Sequence, residues 1–390
     1  MLMLILQALG LLIIMTASLS STLSLYFEVK YWRSLRDPVT NGEYPSVTVI
    51  MPIRGIDQNL EGNVRSILEQ RYPAIREYLF VIDDVNDPAY SIVSNVVKQY
   101  GNARIIINNI GFSKGSALAR GISEAKGDVV VIADSDAYVH DQWLINLVNL
   151  LKAGSGAATT YRFYVPLSRL SLGSLLKASF NMIGITAMQN EAARFAWGGS
   201  TAVWRRLVLK WRLVEYLPHY LSDDYVITHM VHKDGLKVGF TPRSMVITLE
   251  DSGIRDAFNW AVRQLWYVKV YGFNGFILYT ASYTLYALTL PIALALSLFI
   301  NWAIIPGIVP YLIGVVKDYY RISRIRSQGA FYANNIKSKY AYALAAASIL
   351  NVYFSWLVII VTAFTKSINW RGRVFTVNDV KRGIELMPLP

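Results

Sequence analysis

The chain has 390 residues, is 54% hydrophobic and carries a formal charge of +12, from 38 Lys and Arg against 26 Asp and Glu. Such a composition is too apolar for an ordinary soluble domain, and the length suits one globular domain plus several membrane helices. The absence of cysteine excludes disulfides, thiolate metal sites and cysteine nucleophiles, and with no zinc-finger or RNA-binding signature the basic balance points to a membrane surface, not to nucleic acid.

Taken in chain order, the first element runs from Leu2 to about Tyr26 and is apolar, with Lys30, Arg33 and Arg36 just after it. It is long enough to cross about 30 Å of hydrocarbon, and it lacks the positive start of a signal peptide. Residues 1–28 therefore read as an uncleaved anchor that leaves the following domain in the cytoplasm. From Pro45 to Thr248 strands alternate with helices. Residues 46–53 (SVTVIMPI), 78–82 (YLFVI), 103–108 and 128–133 (DVVVIA) read as strands, and 59–70, 88–100 and 113–125 as helices. This alternation predicts an α/β domain over 29–255, with a mostly parallel sheet that binds ligands beyond the carboxyl ends of its strands. Residues 167–188 read as an amphipathic helix lying in the membrane interface, because they interrupt this domain and are rich in small polar residues.

Residues 256–274 form a second interfacial helix, and 275–365 return to the membrane. There 276–299 is a span containing Pro291, 302–316 a short span containing Pro306 and Pro310, and 340–364 a last span. The basic stretch 317–339 reads as a cytoplasmic loop. Four crossings would leave the tail 366–390 outside, whereas its Lys366, Arg371, Arg373, Lys381 and Arg382 argue for inside. The two signals conflict.

Three acidic pairs follow apolar segments. Asp134-Ser135-Asp136 ends a strand and can hold Mg²⁺ or Mn²⁺ through oxygen, the metal bridging a diphosphate leaving group; a solvated acidic turn is the plainer reading. Asp83-Asp84, with Asp87 beyond, ends another strand, where a carboxylate can accept the N3–H of uracil. Asp223-Asp224 opens the run LSDDYVITHMV, which is equally compatible with simple helix capping. Three such pairs in one basic chain favour a shared site. His140, His219, His229 and His232 fall in no zinc motif, and the glycine-rich loops of kinases and dehydrogenases are missing.

These residues resemble the membrane-bound ceramide glucosyltransferase family, a branch of the inverting GT-A glycosyltransferases. The resemblance is carried by Pro52-Ile53-Arg54-Gly55-Ile56-Asp57, Asn59-Leu60, Asn63, Tyr72-Pro73 and the DxxDPA element Asp84-Val85-Asn86-Asp87-Pro88-Ala89. Lys114, Asp134-Ser135-Asp136, Trp197-Gly198-Gly199-Ser200, Asp223-Asp224-Tyr225 and Ile368-Asn369-Trp370-Arg371-Gly372-Arg373 extend it over nearly the whole chain. It implies a GT-A domain between N-terminal and C-terminal transmembrane helices, a nucleotide-sugar donor such as UDP-glucose, a lipid acceptor and a divalent metal. It further implies that Asp84, or failing it Asp83, binds uridine. Lys114, Asp134 and Arg263 would meet the nucleotide sugar, Asp134 and Asp136 the metal, and Asp224, beside Asp223, would be the general base. The family's (R/Q)xxRW element appears as Arg263-Gln264-Leu265-Trp266-Tyr267, so Arg263 is kept but Trp266 stands where arginine is expected. A tryptophan cannot donate charge-assisted hydrogen bonds to phosphate. A polyprenyl-phosphate sugar transferase, a processive polysaccharide synthase and a non-catalytic membrane protein that binds nucleotide sugars are the alternatives.

Overall fold

A computed structural model describes residues 1–36, 42–111 and 113–390. The chain forms two compact units, neither of them one continuous stretch. A helical unit comprises Met1–Arg36, Arg169–Ile183 and Asp251–Thr365, and a sheet unit comprises Asp37–Ser168, Gly184–Glu250 and Lys366–Pro390.

The sheet unit contains β1 (Val47–Ile53), β2 (Ile75–Ile82), β3 (Ala103–Ile107), β4 (Val129–Ala133), β5 (Ala157–Thr159), β6 (Arg162–Val165), β7 (Ser200–Trp204), β8 (Val238–Phe240) and β9 (Val246–Leu249). Seven of these form one sheet in the order β3-β2-β1-β4-β7-β5-β8. Strands β1 to β4 pair in parallel, β7 runs antiparallel to both β4 and β5, and β5 pairs in parallel with β8. The expected α/β GT-A class, with a mostly parallel sheet, is what the chain adopts. Every residue of β1 and β4 is buried, because helices cover both faces of a parallel sheet. A separate parallel pair, β6 with β9, lies outside the main sheet.

Side-chain caps fix where the crossover helices start. Asp87 accepts the Ala89 N–H at 2.9 Å and opens the helix Pro88–Val97, whose proline at the first position needs no donor there. Ser113 caps Lys114–Glu124 and Ser222 caps Asp223–Lys233 in the same way. Residues 366–390 close the unit with a hairpin of Ser367–Trp370 and Arg373–Thr376. Its turn residues Arg371 (φ 49°) and Gly372 (φ 78°) both have the left-handed backbone that matches the twist of paired strands.

In the helical unit, three helices among the described residues are long and apolar enough to cross a membrane: Leu2–Ser34, Phe273–Ser297 and Ser338–Phe364. A fourth, Ile304–Arg326, joins the short span and the first part of the basic loop predicted at 302–316 and 317–339 into one continuous helix. The reason is burial of its charges against the anchor helix. Arg321, 1% exposed, donates from Nε to Glu28 Oε1 at 2.9 Å and also pairs with Glu28 Oε2. The same Glu28 accepts the Trp32 indole N–H at 2.8 Å. Pro310 has no N–H to offer the carbonyl of Pro306, and the Ser18 hydroxyl supplies that bond instead, at 3.2 Å.

These contacts set directions. Ser18, Ser24 and Glu28 meet Pro306, Lys317 and Arg321 in that order, so the anchor helix and Ile304–Arg326 run parallel. Ser20 bonds Tyr286 and Gly10 packs on Leu296, so Phe273–Ser297 runs antiparallel to the anchor. The helix Ser338–Phe364 begins beside the end of Ile304–Arg326, where Arg326 donates to Ser338 Oγ at 3.0 Å. It ends on Lys269, whose ammonium donates to the carbonyls of Thr362, Ala363 and Thr365 at 2.8, 2.8 and 3.0 Å and so satisfies the open C-terminus. Tyr342 stacks on Tyr319 and Tyr353 on Tyr311, so Ser338–Phe364 runs antiparallel to Ile304–Arg326. Residues 167–188, expected in the interface, correspond to the helix Leu172–Gln189, with Lys177 buried over the Trp260 ring at 5.1 Å.

Candidate active site

The acidic turn after β4 is the hub. Asp134 donates its backbone N–H to Gly199 O at 3.1 Å, which ties the turn to the residue just before β7. Its Oδ1 accepts Lys114 Nζ at 2.8 Å, and the same ammonium reaches Asp223 Oδ1 at 3.2 Å and Gly198 O at 3.3 Å. Lys114 is only 18% exposed, yet three surrounding aspartates hold it firmly protonated against the pull of burial. Lys114, Asp134 and Asp223, expected as parts of one site, are in direct contact.

Arg162 enters from β6. Its Nη2 lies 2.8 Å from Asp134 Oδ2 and its Nη1 2.8 Å from Asp136 Oδ2. Burial works to raise the Asp134 carboxyl, but Lys114 and Arg162 together hold it below the usual range. For Asp136 burial prevails over Arg162, with help from the charges of Asp134, Asp57 and Glu250, and the carboxyl is raised. Asp136 Oδ1 is buried and has no hydrogen-bond partner among the described residues.

Asp223 and Asp224 open their helix beneath the turn Trp197-Gly198-Gly199. The Gly198 N–H donates to Asp224 Oδ1 at 2.7 Å. A Cβ on Gly198 would overlap Asp223 Oδ2 and sit 2.6 Å from Asp224 Oδ1, so only glycine brings the backbone this close. Asp223 is 5% exposed, and its Oδ2 has no partner among the described residues. Desolvation, and then the charge of Asp223, push the Asp224 carboxyl up to about 7, with Lys114 and the Gly198 N–H opposing. A carboxylate that gives up its proton near neutrality is suited to general-base work.

At the neighbouring strand ends, Asp83 and Asp84 part company. Asp83 is 16% exposed, accepts Asn108 Nδ2 at 2.8 Å and lies 3.6 Å from Arg54. Asp84 is exposed and accepts the backbone N–H and side-chain amide of Asn86 at 2.8 and 2.9 Å, a local turn. Between β1 and the acidic turn, Asp57 joins the Ser135 hydroxyl to Arg371 of the closing hairpin, 2.8 Å away. Arg263 lies on the helix Ile254–Tyr271 of the helical unit. On that helix Trp266 is fully buried, and its indole nitrogen has no partner among the described residues.

Sequence reasoning did not single out Arg162, and no signal short of the β6–β9 pairing could have placed it. Asp57 and Gly198 were visible within quoted motifs, though without a contact to give them a role.

Among the described residues no three His, Asp or Glu side chains group as a complete metal cage. Magnesium and manganese bound with a nucleotide diphosphate need only one or two carboxylates, with phosphate and water completing the shell. The unpartnered Asp136 Oδ1 fits that need, and Asp134 stands beside it. These two residues would hold the ion, which when bound offsets negative charge on the departing diphosphate.

The chain is similar to a ceramide glucosyltransferase of Candida albicans, 32% identical over 130 residues, which is 29% of this chain and 24% of the fungal protein. It is also similar to a probable glycosyltransferase of Bacillus subtilis, 25% identical over 238 residues, 57% of this chain and 55% of that one. The match spans only about a quarter of the length of the fungal ceramide glucosyltransferases. Among solved structures, a mannosyltransferase of Pyrobaculum calidifontis, determined with GDP-Man and Mn²⁺, superposes with a TM-score of 0.49 at 18% identity, over 89% of this chain and 99% of that one. The family profile described as Glycosyl transferase family 21 matches residues 10–382, so the chain belongs to the glycosyltransferases of family 21.

Proposed function

We propose that the protein transfers a hexose, glucose, from a UDP-sugar to the hydroxyl of a membrane lipid, with inversion at the anomeric carbon. The observation that carries this is Asp224, a carboxylate raised to about 7 and aimed by the Gly198 N–H, one residue from the Asp223–Lys114–Asp134 chain. Asp224 takes the acceptor hydroxyl proton as the acceptor oxygen bonds to the anomeric carbon. The bond from that carbon to the diphosphate breaks with its electron pair, and UDP departs. Lys114 keeps its charge and lowers the electrostatic cost of bringing a diphosphate next to four aspartates. We assign the uracil contact to Asp83, because Asp84 is exposed and engaged in its own turn.

A lipid acceptor is supported by the three apolar helices and by the names of the fungal relatives. The basic residues after the anchor support a cytoplasmic sheet unit. The test is the purified full chain in vesicles with labelled UDP-glucose, Mg²⁺ or Mn²⁺, and lipids bearing free hydroxyls, ceramide among them. The expected product is a glycolipid whose linkage is inverted relative to the donor. Product on polyprenyl phosphate alone would replace this reading with phosphate glycosylation, and UDP binding without turnover on any lipid would reject it.

A further inference from the structure

Arg162 places one guanidinium nitrogen on each of the two carboxylates that would hold the metal, both at 2.8 Å. The group is not a loose surface cation. It is 13% exposed, donates to the Tyr164 hydroxyl at 2.9 Å, and lies 4.7 Å from the centre of the Trp197 ring. The planar fork satisfies Asp134 Oδ2 and Asp136 Oδ2 in the bidentate manner particular to arginine. A divalent ion seeking the same oxygens meets a like charge that burial screens poorly.

We propose that Arg162 is a resident counter-cation that keeps Asp134 and Asp136 occupied until the donor arrives, so that the divalent ion enters with the nucleotide diphosphate and not before it. The inference rests on the donor-site reading above. A metal ion alone has to displace a guanidinium held by two carboxylates, a hydroxyl and an aromatic face. A metal ion arriving with a diphosphate brings the guanidinium a second anion that its fork fits equally well, and Asp136 Oδ1 is the buried acceptor still open. Among the described residues, Arg162 is the arginine in direct contact with both carboxylates.

The test reads Mn²⁺ binding by paramagnetic resonance on the detergent-solubilised full chain, without acceptor, and with and without UDP. The unaltered protein is expected to bind Mn²⁺ weakly alone and at least about tenfold more tightly with UDP. Arg162→Met should tighten binding of Mn²⁺ alone by about tenfold or more and shrink the UDP effect, and Asp136→Asn added to it should cancel the gain. Arg162→Lys keeps the charge but cannot bridge both carboxylates, so it should fall between, and it preserves the test if the methionine variant fails to fold. A UDP effect of equal size with and without Arg162, or variants binding Mn²⁺ no more tightly than the unaltered protein, would overturn the proposal. Failure of the donor-site reading shows differently, as UDP changing Mn²⁺ binding in no form.

Discussion

The position of Asp224 on the pH axis follows from its surroundings and can be moved. With the carboxyl at about 7, kcat/KM for lipid glycosylation should fall about tenfold per pH unit below neutrality, to roughly a tenth at pH 6 and a hundredth at pH 5. Burial is the largest cause and the Asp223 charge the next, so Asp223→Asn should carry the acidic limb down by about one unit or more while leaving it above the ordinary aspartate range. The variant will lose rate, because Lys114 loses a partner, yet the limb is read from its shape and not its height. The same carboxyl affects stability. Its folded pKa is raised, so the folded state holds the proton more tightly, and stability is lost as pH rises from about 4 through 7. Asp224→Asn, still able to accept the Gly198 N–H, should therefore unfold at a higher temperature than the unaltered protein at pH 8, by up to about 4 kcal/mol of stability, and show little gain at pH 4. An acidic limb near pH 4 in the unaltered enzyme, or one that stays put in Asp223→Asn, would refute the reasoning.

Other outcomes follow from single contacts. Gly198→Ala forces a methyl group into the carboxylates of Asp223 and Asp224, and glycosylation should drop by about a hundredfold; a rate within a few fold of the original would contradict the packing. Glu28→Gln leaves the buried Arg321 with only the more distant Asp318, at 3.8 Å, among the described carboxylates, and should cost about 3 kcal/mol in detergent unfolding, part of it recovered when Glu28→Met is combined with Arg321→Met. Because the chain has no cysteine, introduced thiols report sidedness cleanly. Ser327→Cys and Leu298→Cys, beyond opposite ends of Ile304–Arg326, should label from opposite faces of the membrane. Labelling of both from one face would mean that Ile304–Arg326 does not cross the membrane.

The basic stretch near 317–339 was not legible as the end of one continuous helix, Ile304–Arg326. Hydropathy counts Ser338–Phe364 as a crossing because it sees length and apolarity alone. It cannot see that Arg326 and Lys269 bind its two ends. Strands β1 and β4 were legible because a strand buried on both faces leaves an unbroken apolar run. The antiparallel β7 was not, since its direction depends on partners far away in sequence. The acidic pairs were legible as strand ends and helix starts. Which of Asp83 and Asp84 turns inward was not, because adjacent residues leave a strand on opposite sides. Arg162 was invisible for a further reason. It comes to Asp136 from 26 residues away through the pairing of β6 with β9, and no spacing rule describes that distance.

The hairpin of residues 367–376 bears on how the protein is made. Through Arg371 and Asp57 it reaches the serine at the centre of the acidic turn, and it is synthesised after every long helix of the chain. Until residues 366–390 are made the sheet unit is incomplete, and Asp57 lacks its Arg371 partner. The ribosome must finish the helices first. On the proposed function, a chain truncated before residue 366 should therefore transfer little sugar even when all of its long apolar helices are present.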